Sequence, residues 1–321
     1  MDVDSRTASP PARPVALFGK IPARPDFVRE NMVDPGAREL DAWLVRATED
    51  LHAARAELPP RLLRFAFFAP GAQRLMVGAL APSRDEVGRE FPVAVFAGLD
   101  GAAASRQLAA IPGASRPLLD AADALLREVP ALQPEEIRRR LAEMTSAAGG
   151  SLEAAATAAA GNLGADRAAE FVQRAFGHHG AEQHYYGFYT WLVATGPLRG
   201  EAPTAASTVL QCPISGEADL IAWLELARLT LGWRGAAPSF FWTEAPDPRL
   251  WLSLGPPPAL LLRHVADPHY QSSKLWPLIT DRQAAVERAR DTLVPALEGL
   301  LDGEPASLHA LLARVAGERV G

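Results

Sequence analysis

The chain has 321 residues, which suits one large domain or two modest ones. Its formal net charge of -6 gives no electrostatic attraction to nucleic acid or to an anionic membrane surface, so neither is expected as a partner. The single cysteine, Cys212, excludes an intramolecular disulfide. No apolar run is long enough to span a bilayer, and the acidic N-terminus lacks the apolar stretch of a signal peptide. These features predict a cytoplasmic protein without membrane insertion.

The N-terminal elements begin with a polar, proline-rich stretch at 1–14, which predicts a disordered leader. A short apolar run at 15–21 predicts a strand. Asp34 followed by Pro35 predicts the start of a helix, because Asp is a favoured N-cap residue and Pro suits the first helical position. Apolar residues then recur every three or four positions, so one face of this helix is expected in the core.

Strand-like runs follow this helix. Apolar runs at 62–69 and 74–80 flank a Pro-Gly turn and predict an antiparallel hairpin, and 91–98 predicts a third strand. The alanine-rich region 101–176 carries periodic Leu and Phe and predicts packed helices. The stretch GHHGAEQHYYG after it predicts a loop that runs into an aromatic segment.

The second half of the chain again combines predicted strands, helices and a hairpin. A strand is predicted at 207–214, a helix at 218–232, and a hairpin from 238–243 and 249–254. A short helix and two C-terminal helices are predicted after them. We therefore divide the chain into a leader at 1–14, an N-terminal α/β domain at 15–150 and a second α/β part with C-terminal helices at 165–321.

Two segments share one layout. Residues 65–82 and 240–257 each contain a predicted strand rich in aromatic residues, a turn with proline, the pair Arg-Leu, a second predicted strand and a further proline. A duplication that gives two related halves is one interpretation; the other is that any hairpin of this kind looks alike. The predicted fold class is α/β (α+β), with antiparallel sheet layers flanked by helices.

Histidines are the first candidates for a metal site. Three converging imidazoles would suit zinc. The spacing is neither H-E-x-x-H nor a finger pattern, so no metal ligand is predicted, and a metal-dependent hydrolase stays an alternative. The residues concerned are His178, His179, Glu182 and His184 in one stretch and His264 and His269 in another.

Other catalytic and cofactor motifs give no signal. Ser215 precedes Gly216, but Pro213 replaces the first glycine of a nucleophile elbow. Cys212 lies on a predicted strand and is interpreted as a small core residue. No phosphate-binding glycine loop is present. We therefore predict no catalytic residue and no cofactor.

A cluster of polar and turn residues near the N-terminus remains. Its prolines stiffen the chain and its aromatic residues are expected to pin it to the core, while its charged residues suit a recognition surface, because arginine pairs with carboxylates in a bidentate manner. The candidate binding residues here are Phe18, Gly19, Lys20, Pro22, Arg24, Asp26, Phe27 and Arg29.

A resemblance to a known family starts from these residues. FGKIPARPDF resembles the opening signature of the TagF family, with Pro25 where that family usually has glycine. LAPSRDEVGREFPV resembles a second TagF element and adds Ser83, Gly88 and Arg89 as candidate binding residues. PSFFWTEAP is similar to an element of the family's later part. The resemblance covers roughly 15–100 and, more loosely, 205–278.

The TagF resemblance implies a function and a fold. It implies a post-translational repressor of the type VI secretion system that binds a forkhead-associated (Fha) scaffold protein and is not an enzyme. It also implies a longin- or profilin-like sheet layer. A repressor of this kind would act by preferring one state of the scaffold, with no turnover. A structural subunit of a larger assembly is the further alternative.

Overall fold

The structure is a computed structural model that describes residues 14–147, 151–205, 208–301 and 305–319. The leader predicted at 1–14 therefore lies outside the described residues, apart from Pro14. The strands are β1 (Ala16–Gly19), β2 (Val28–Glu30), β3 (Leu63–Ala69), β4 (Arg74–Ala81), β5 (Val93–Asp100), β6 (Val209–Pro213), β7 (Ser239–Thr243), β8 (Arg249–Ser253) and β9 (Leu275–Pro277).

In the described part of the chain these strands form one nine-stranded sheet in the order β2-β1-β5-β4-β3-β7-β8-β6-β9. All neighbouring strands are antiparallel except β6 and β9, which run parallel. Helices cover both faces of this sheet. The predicted α/β class with antiparallel sheet layers and extra C-terminal helices is confirmed.

The described helices lie between and after the strands. They are α1 (Pro35–Ala53), α2 (Gly101–Arg106), α3 (Ile111–Ala114), α4 (Arg116–Glu128), α5 (Pro134–Ala147), α6 (Leu152–Ala165), α7 (Ala168–Phe176), α8 (Gln183–Thr195), α9 (Glu217–Leu231), α10 (Leu261–Ala266), α11 (Gln283–Leu301) and α12 (Leu308–Gly317). Among the described residues, no helix combines the length and the apolarity that crossing a membrane requires.

Helix α1 begins as the sequence predicts. The Asp34 carboxylate accepts a hydrogen bond from the Gly36 amide at 2.9 Å, so a free amide of the first turn gains a partner. The same carboxylate receives the Arg74 guanidinium at 2.7 Å, which joins the helix start to the first residue of β4. On the buried side of α1, Trp43 packs against Phe67 and Phe241, so α1 covers strands from both halves of the chain.

The two faces of the sheet follow from the alternation of side chains along each strand. On β3, Phe65 and Phe67 belong to the core under α1 and α10, whereas Ala66 and Phe68 belong to the core under α8 and α9. A third core lies under α4 and α5 and contains the apolar side chains of β1 and β5 that face those helices. Strands buried on both faces explain the nearly continuous apolar runs in the sequence.

The two halves of the chain meet at the pairing of β3 with β7, where Phe65 lies opposite Phe241. These strands belong to the two hairpins with the shared layout, β3–β4 and β7–β8, which are thus neighbours at the centre of one sheet. Helix α6 occupies the interval between the two predicted domains, with Ala159 and Leu163 buried.

Three elements differ from the sequence prediction. The loop expected in GHHGAEQHYYG ends earlier, because α8 begins at Gln183; its aromatic side chains pack around Trp191 and Trp223 and bury most sides of the helix. The short edge strands β2 and β9 were not predicted either. Three residues carry too little pattern to distinguish a strand from an extended loop.

Candidate functional site

The two motif segments of the first half meet at a buried ion pair. Lys20 follows β1, and its ammonium group lies 3.0 Å from the Asp85 carboxylate, which belongs to the loop between β4 and β5. Lys20 is 8% exposed and Asp85 is 2% exposed. Two charges buried together require further hydrogen bonds to offset their desolvation, and the surrounding loop supplies them.

The loop at 82–91 is built around the Asp85 carboxylate. This group accepts hydrogen bonds from the backbone amides of Val87 at 3.1 Å and Arg89 at 2.8 Å, and from the Arg89 side chain at 2.7 Å. Burial opposes ionisation of this carboxyl, but the hydrogen bonds from Lys20 and Arg89 outweigh it and hold its pKa well below the usual range. The loop is therefore closed around an ionised carboxylate.

Hydrogen bonds from this loop also hold the first motif in place. The Glu86 amide donates to the Arg24 carbonyl at 3.1 Å, and the Arg89 guanidinium donates to the Pro25 carbonyl. The Phe91 amide donates to the Ser83 carbonyl at 3.0 Å and closes the base of the loop. The two motifs, more than 50 residues apart in sequence, thus form one surface.

Three aromatic rings form the base of this surface. Phe18 stacks on Phe27 at 5.5 Å between ring centroids, and Phe91 meets Phe27 edge to face at 4.8 Å. The Arg29 guanidinium lies 4.9 Å from the Phe18 centroid and 5.2 Å from that of Phe27, and it also pairs with Asp41. The cation therefore covers rings that would otherwise face solvent.

Gly19 is required by a close approach of the backbone. Its φ is +143°, and a Cβ at this position would lie 2.3 Å from the Pro92 carbonyl oxygen. Gly88, at the tip of the loop, has φ +86° but open space around its α-carbon. The first glycine lets β1 pass the start of β5, and the second lets the loop turn.

All the candidate binding residues lie at this surface or in its base. Phe18, Gly19 and Lys20 are buried; Pro22 and Phe27 are partly buried. The exposed members are Arg24, Asp26, Arg29, Gly88 and Arg89, and Ser83 is partly buried. Val87 stands 66% exposed between Glu86 and Gly88 at the tip of the loop. We call the exposed part of segments 22–29 and 82–91 the motif surface.

Sequence reasoning missed the residue at the centre of this surface, Asp85. The available signal was a lone acidic residue inside a motif whose other members are turn residues. Its partner Lys20 lies 65 positions earlier, so spacing alone gave no reason to join them.

A second buried ionic network lies where β3 meets β7. The Arg64 guanidinium bonds Asp123 at 2.7 Å and Asp120 at 3.0 Å, both on α4, and Glu244 at 2.5 Å, just after β7. Arg64 and Asp123 are 8% and 6% exposed. Burial disfavours the charged guanidinium, but its hydrogen bond to Asp123 and the charges of the three carboxylates raise the pKa of Arg64.

The histidines do not converge. His178 and His179 are exposed in the turn after α7, and His264 is buried in α10, where its ring bonds the Ser272 hydroxyl and the Tyr270 carbonyl. Within the described ranges, no group of three His, Cys, Asp or Glu side chains could hold a metal ion. Cys212 is buried in β6, and burial raises the pKa of its thiol, as befits a core residue.

Comparison with solved structures finds a chain of similar arrangement, the crystal structure of PA0076 from Pseudomonas aeruginosa PAO1. The identity is 20% and the TM-score 0.46, over 82% of this chain and 98% of that one. No curated protein matches the chain. The sequence match to a family model lies in the N-terminal part of the chain.

That match covers the motif surface and the elements that carry it. Residues 16–144 match the family model described as "TagF N-terminal domain, Type VI secretion system-associated". The matched range runs from β1 to α5 and contains both motifs and the Lys20–Asp85 pair. This chain therefore contains a TagF N-terminal domain, which the family model describes as type VI secretion system-associated.

Proposed function

We propose that this chain is a post-translational repressor of the type VI secretion system that binds the forkhead-associated scaffold protein Fha through its motif surface. The observation that carries the proposal is the convergence of the two motifs of the TagF N-terminal domain on the Lys20–Asp85 pair. The buried ion pair and the hydrogen bonds to Asp85 hold an exposed loop in one shape, which suits a docking surface.

The exposed groups of this surface suit recognition of a protein. Arg24 and Arg89 offer guanidinium groups, while Val87 offers an exposed apolar tip on a loop whose backbone is already ordered. Because the loop is fixed before binding, docking does not pay again for ordering it. Arginine and a small apolar anchor can thus contribute specificity as well as contact area.

Repression follows from differential affinity, without turnover. If the repressor binds the inactive state of the scaffold more tightly than the active state, it shifts the scaffold population in proportion to that difference. Converting a population from mostly active to mostly inactive requires a difference of about 10⁴-fold in affinity. An excess of regulator does not replace this difference, because a ligand that binds both states equally shifts neither of them.

The direct test measures binding of the purified full chain to its cognate Fha scaffold by isothermal titration calorimetry. We expect Val87→Asp to lower the affinity by more than about tenfold, because it places a charge in the contact. Val33→Asp is the matched control: Val33 is also exposed, at 74%, but lies outside both motifs. Absence of wild-type binding, together with unchanged secretion after deletion of the gene, contradicts the proposal.

A further inference from the structure

A cleft beside the motif surface has no role in the Lys20–Asp85 network. It lies between the C-terminal end of α1, the segment that follows α1, and the base of the 82–91 loop, and its volume is about 350 Å³. Its apolar walls are formed by Leu51, Leu58, Pro60, Pro82, Phe91 and Pro92. Three of these residues belong to the second TagF motif, so that motif forms one wall of the cleft as well as the loop.

Thr48 supplies an unused polar group at this cleft. Its side chain lines the cavity, the residue is only 3% exposed, and its hydroxyl oxygen has no hydrogen-bond partner within the part of the chain that the structure describes. A helical threonine normally donates its hydroxyl to a carbonyl one turn earlier. A buried polar atom without a partner is costly, and a bound group with N–H donors would remove that cost.

Charge at the rim favours a cation. Glu57 and Glu90 line the cleft and are exposed, and Arg84 is the one lysine or arginine side chain that lines it. The formal charge of these three side chains is therefore -1. The C-terminal end of α1 adds to this, because the last carbonyl groups of a helix carry partial negative charge.

We propose that this cleft receives an arginine side chain of the partner protein. Its methylene stem packs between the prolines and Leu58, and its guanidinium donates to the Thr48 hydroxyl and to Glu57 or Glu90. Arginine fits better than lysine, because its five N–H donors reach several acceptors at once and its weaker hydration lowers the cost of entry. The inference rests on the proposed function in one respect: the partner is a protein that docks on the adjacent motif surface.

The cleft can be tested without the partner. Acetyl-arginine amide is titrated into the isotope-labelled full chain and followed by NMR, with acetyl-citrulline amide as an uncharged analogue of the same shape. We expect the arginine derivative to shift resonances of Thr48, Leu58 and Glu90 with millimolar affinity, as suits so small a ligand, and the citrulline derivative to bind at least tenfold more weakly.

Variants locate the binding. Glu57→Gln combined with Glu90→Gln is expected to weaken the arginine derivative at least tenfold, and Thr48→Val, which keeps the shape of the side chain, several-fold. Glu86→Gln is the matched control, because this exposed carboxylate lies on the same loop but does not line the cleft. Equal binding of arginine and citrulline derivatives, or shifts confined to other regions, would overturn the inference.

Titration of the Fha scaffold separates this inference from the proposed function. If wild type binds the scaffold and the double glutamine variant binds it equally well, the cleft is not the arginine site, while the proposed function stands. If the arginine derivative binds in the cleft but the wild-type chain does not bind the scaffold, the proposed function fails and the inference holds for a different protein partner.

Discussion

Two buried ionic networks of opposite polarity can be compared in this molecule. In the motif surface, one buried carboxylate, that of Asp85, is held by Lys20 and Arg89. Between the halves of the sheet, one buried guanidinium, that of Arg64, is held by three carboxylates, two from α4 and one that follows β7. Both place a charge where it is shielded from water and satisfy it with several partners.

The two ionic networks differ in which parts of the molecule they connect. Arg64 projects from a central strand and reaches a helix of the N-terminal half and a residue of the C-terminal half, so it links elements that must stay together for the sheet to persist. Asp85 belongs to a surface loop, and most of its bonds order that loop itself. The Arg64 network should therefore affect the stability of the fold, and the Asp85 network should affect the shape of the motif surface.

The largest expected effect is on stability at the central network. Arg64→Met leaves Asp123 buried without its cation, and the loss of one partner from a buried pair typically costs about 3–5 kcal/mol. We expect the lower end, about 3 kcal/mol, because Asp120 and Glu244 are half exposed and regain water. Urea denaturation measures the change in the free energy of unfolding.

A matched variant tests the geometry of this network. Arg64→Lys keeps the charge but cannot bond three carboxylates with one planar fork, so its loss should be intermediate. If Arg64→Met lowers the free energy of unfolding by less than about 1 kcal/mol, the network does not join the halves in the way we describe.

The next effect concerns the glycine that brings Lys20 to Asp85. Gly19→Ala places a Cβ against the Pro92 carbonyl in a backbone conformation that favours glycine, and we expect a loss of about 2 kcal/mol in the free energy of unfolding. Gly88→Ala is the control: its φ is also positive, but nothing lies within 4 Å, so a loss of about 1 kcal/mol is expected. Equal losses would show that the close approach to Pro92 contributes nothing.

The comparison also explains which features could be predicted from the sequence. Helix α1 carries its start signal locally, in Asp34 and Pro35, and its buried face in three- and four-residue steps. The hairpins β3–β4 and β7–β8 carry theirs in apolar runs around a proline turn. Such elements can be predicted from the sequence because a few neighbouring residues determine them.

Features that depend on residues distant in the sequence could not be predicted from the sequence. Asp85 owes its importance to Lys20, and Arg64 to Asp123 and Glu244, which lie 59 and 180 positions away. The start of helix α8 was not predicted for another reason. The helix is buried on most sides, so apolar and polar residues do not alternate at helical spacing. The motif residues were found through family resemblance, and their arrangement became visible only in the fold.

Removing the central carboxylate of the motif surface tests the other side of the comparison. Asp85→Asn keeps the shape but leaves Lys20 without its counter-ion, so we expect the loop to lose its fixed form. If the proposed function holds, the affinity for the Fha scaffold should fall by about tenfold or more. Calorimetric titration measures this loss, and circular dichroism should show the sheet intact. Loss of the whole fold would place Asp85 with Arg64 as a residue that maintains the sheet.

The pH dependence of this loop has a definite sign. Because the pKa of Asp85 lies below its usual value of about 3.9, its contribution to stability is fully present above about pH 4 and is lost as the pH falls toward the folded-state pKa. The amide resonances of Val87 and Arg89 should therefore stay unchanged between pH 7 and pH 5. A transition of these resonances near pH 6 would contradict an ionised, firmly held carboxylate.

The smallest expected effect separates two weak interactions of one arginine. Arg29 lies over Phe18 and Phe27 and pairs with Asp41, but its side chain is 48% exposed, so solvent screens the ion pair. Arg29→Gln should cost about 0.5–1 kcal/mol in the free energy of unfolding, mostly from the lost contact with the rings. Asp41→Asn removes the ion pair alone and should cost less, and urea denaturation of both variants compares them. If Asp41→Asn costs as much as Arg29→Gln, the ion pair holds the arginine and the aromatic base of the motif surface does not.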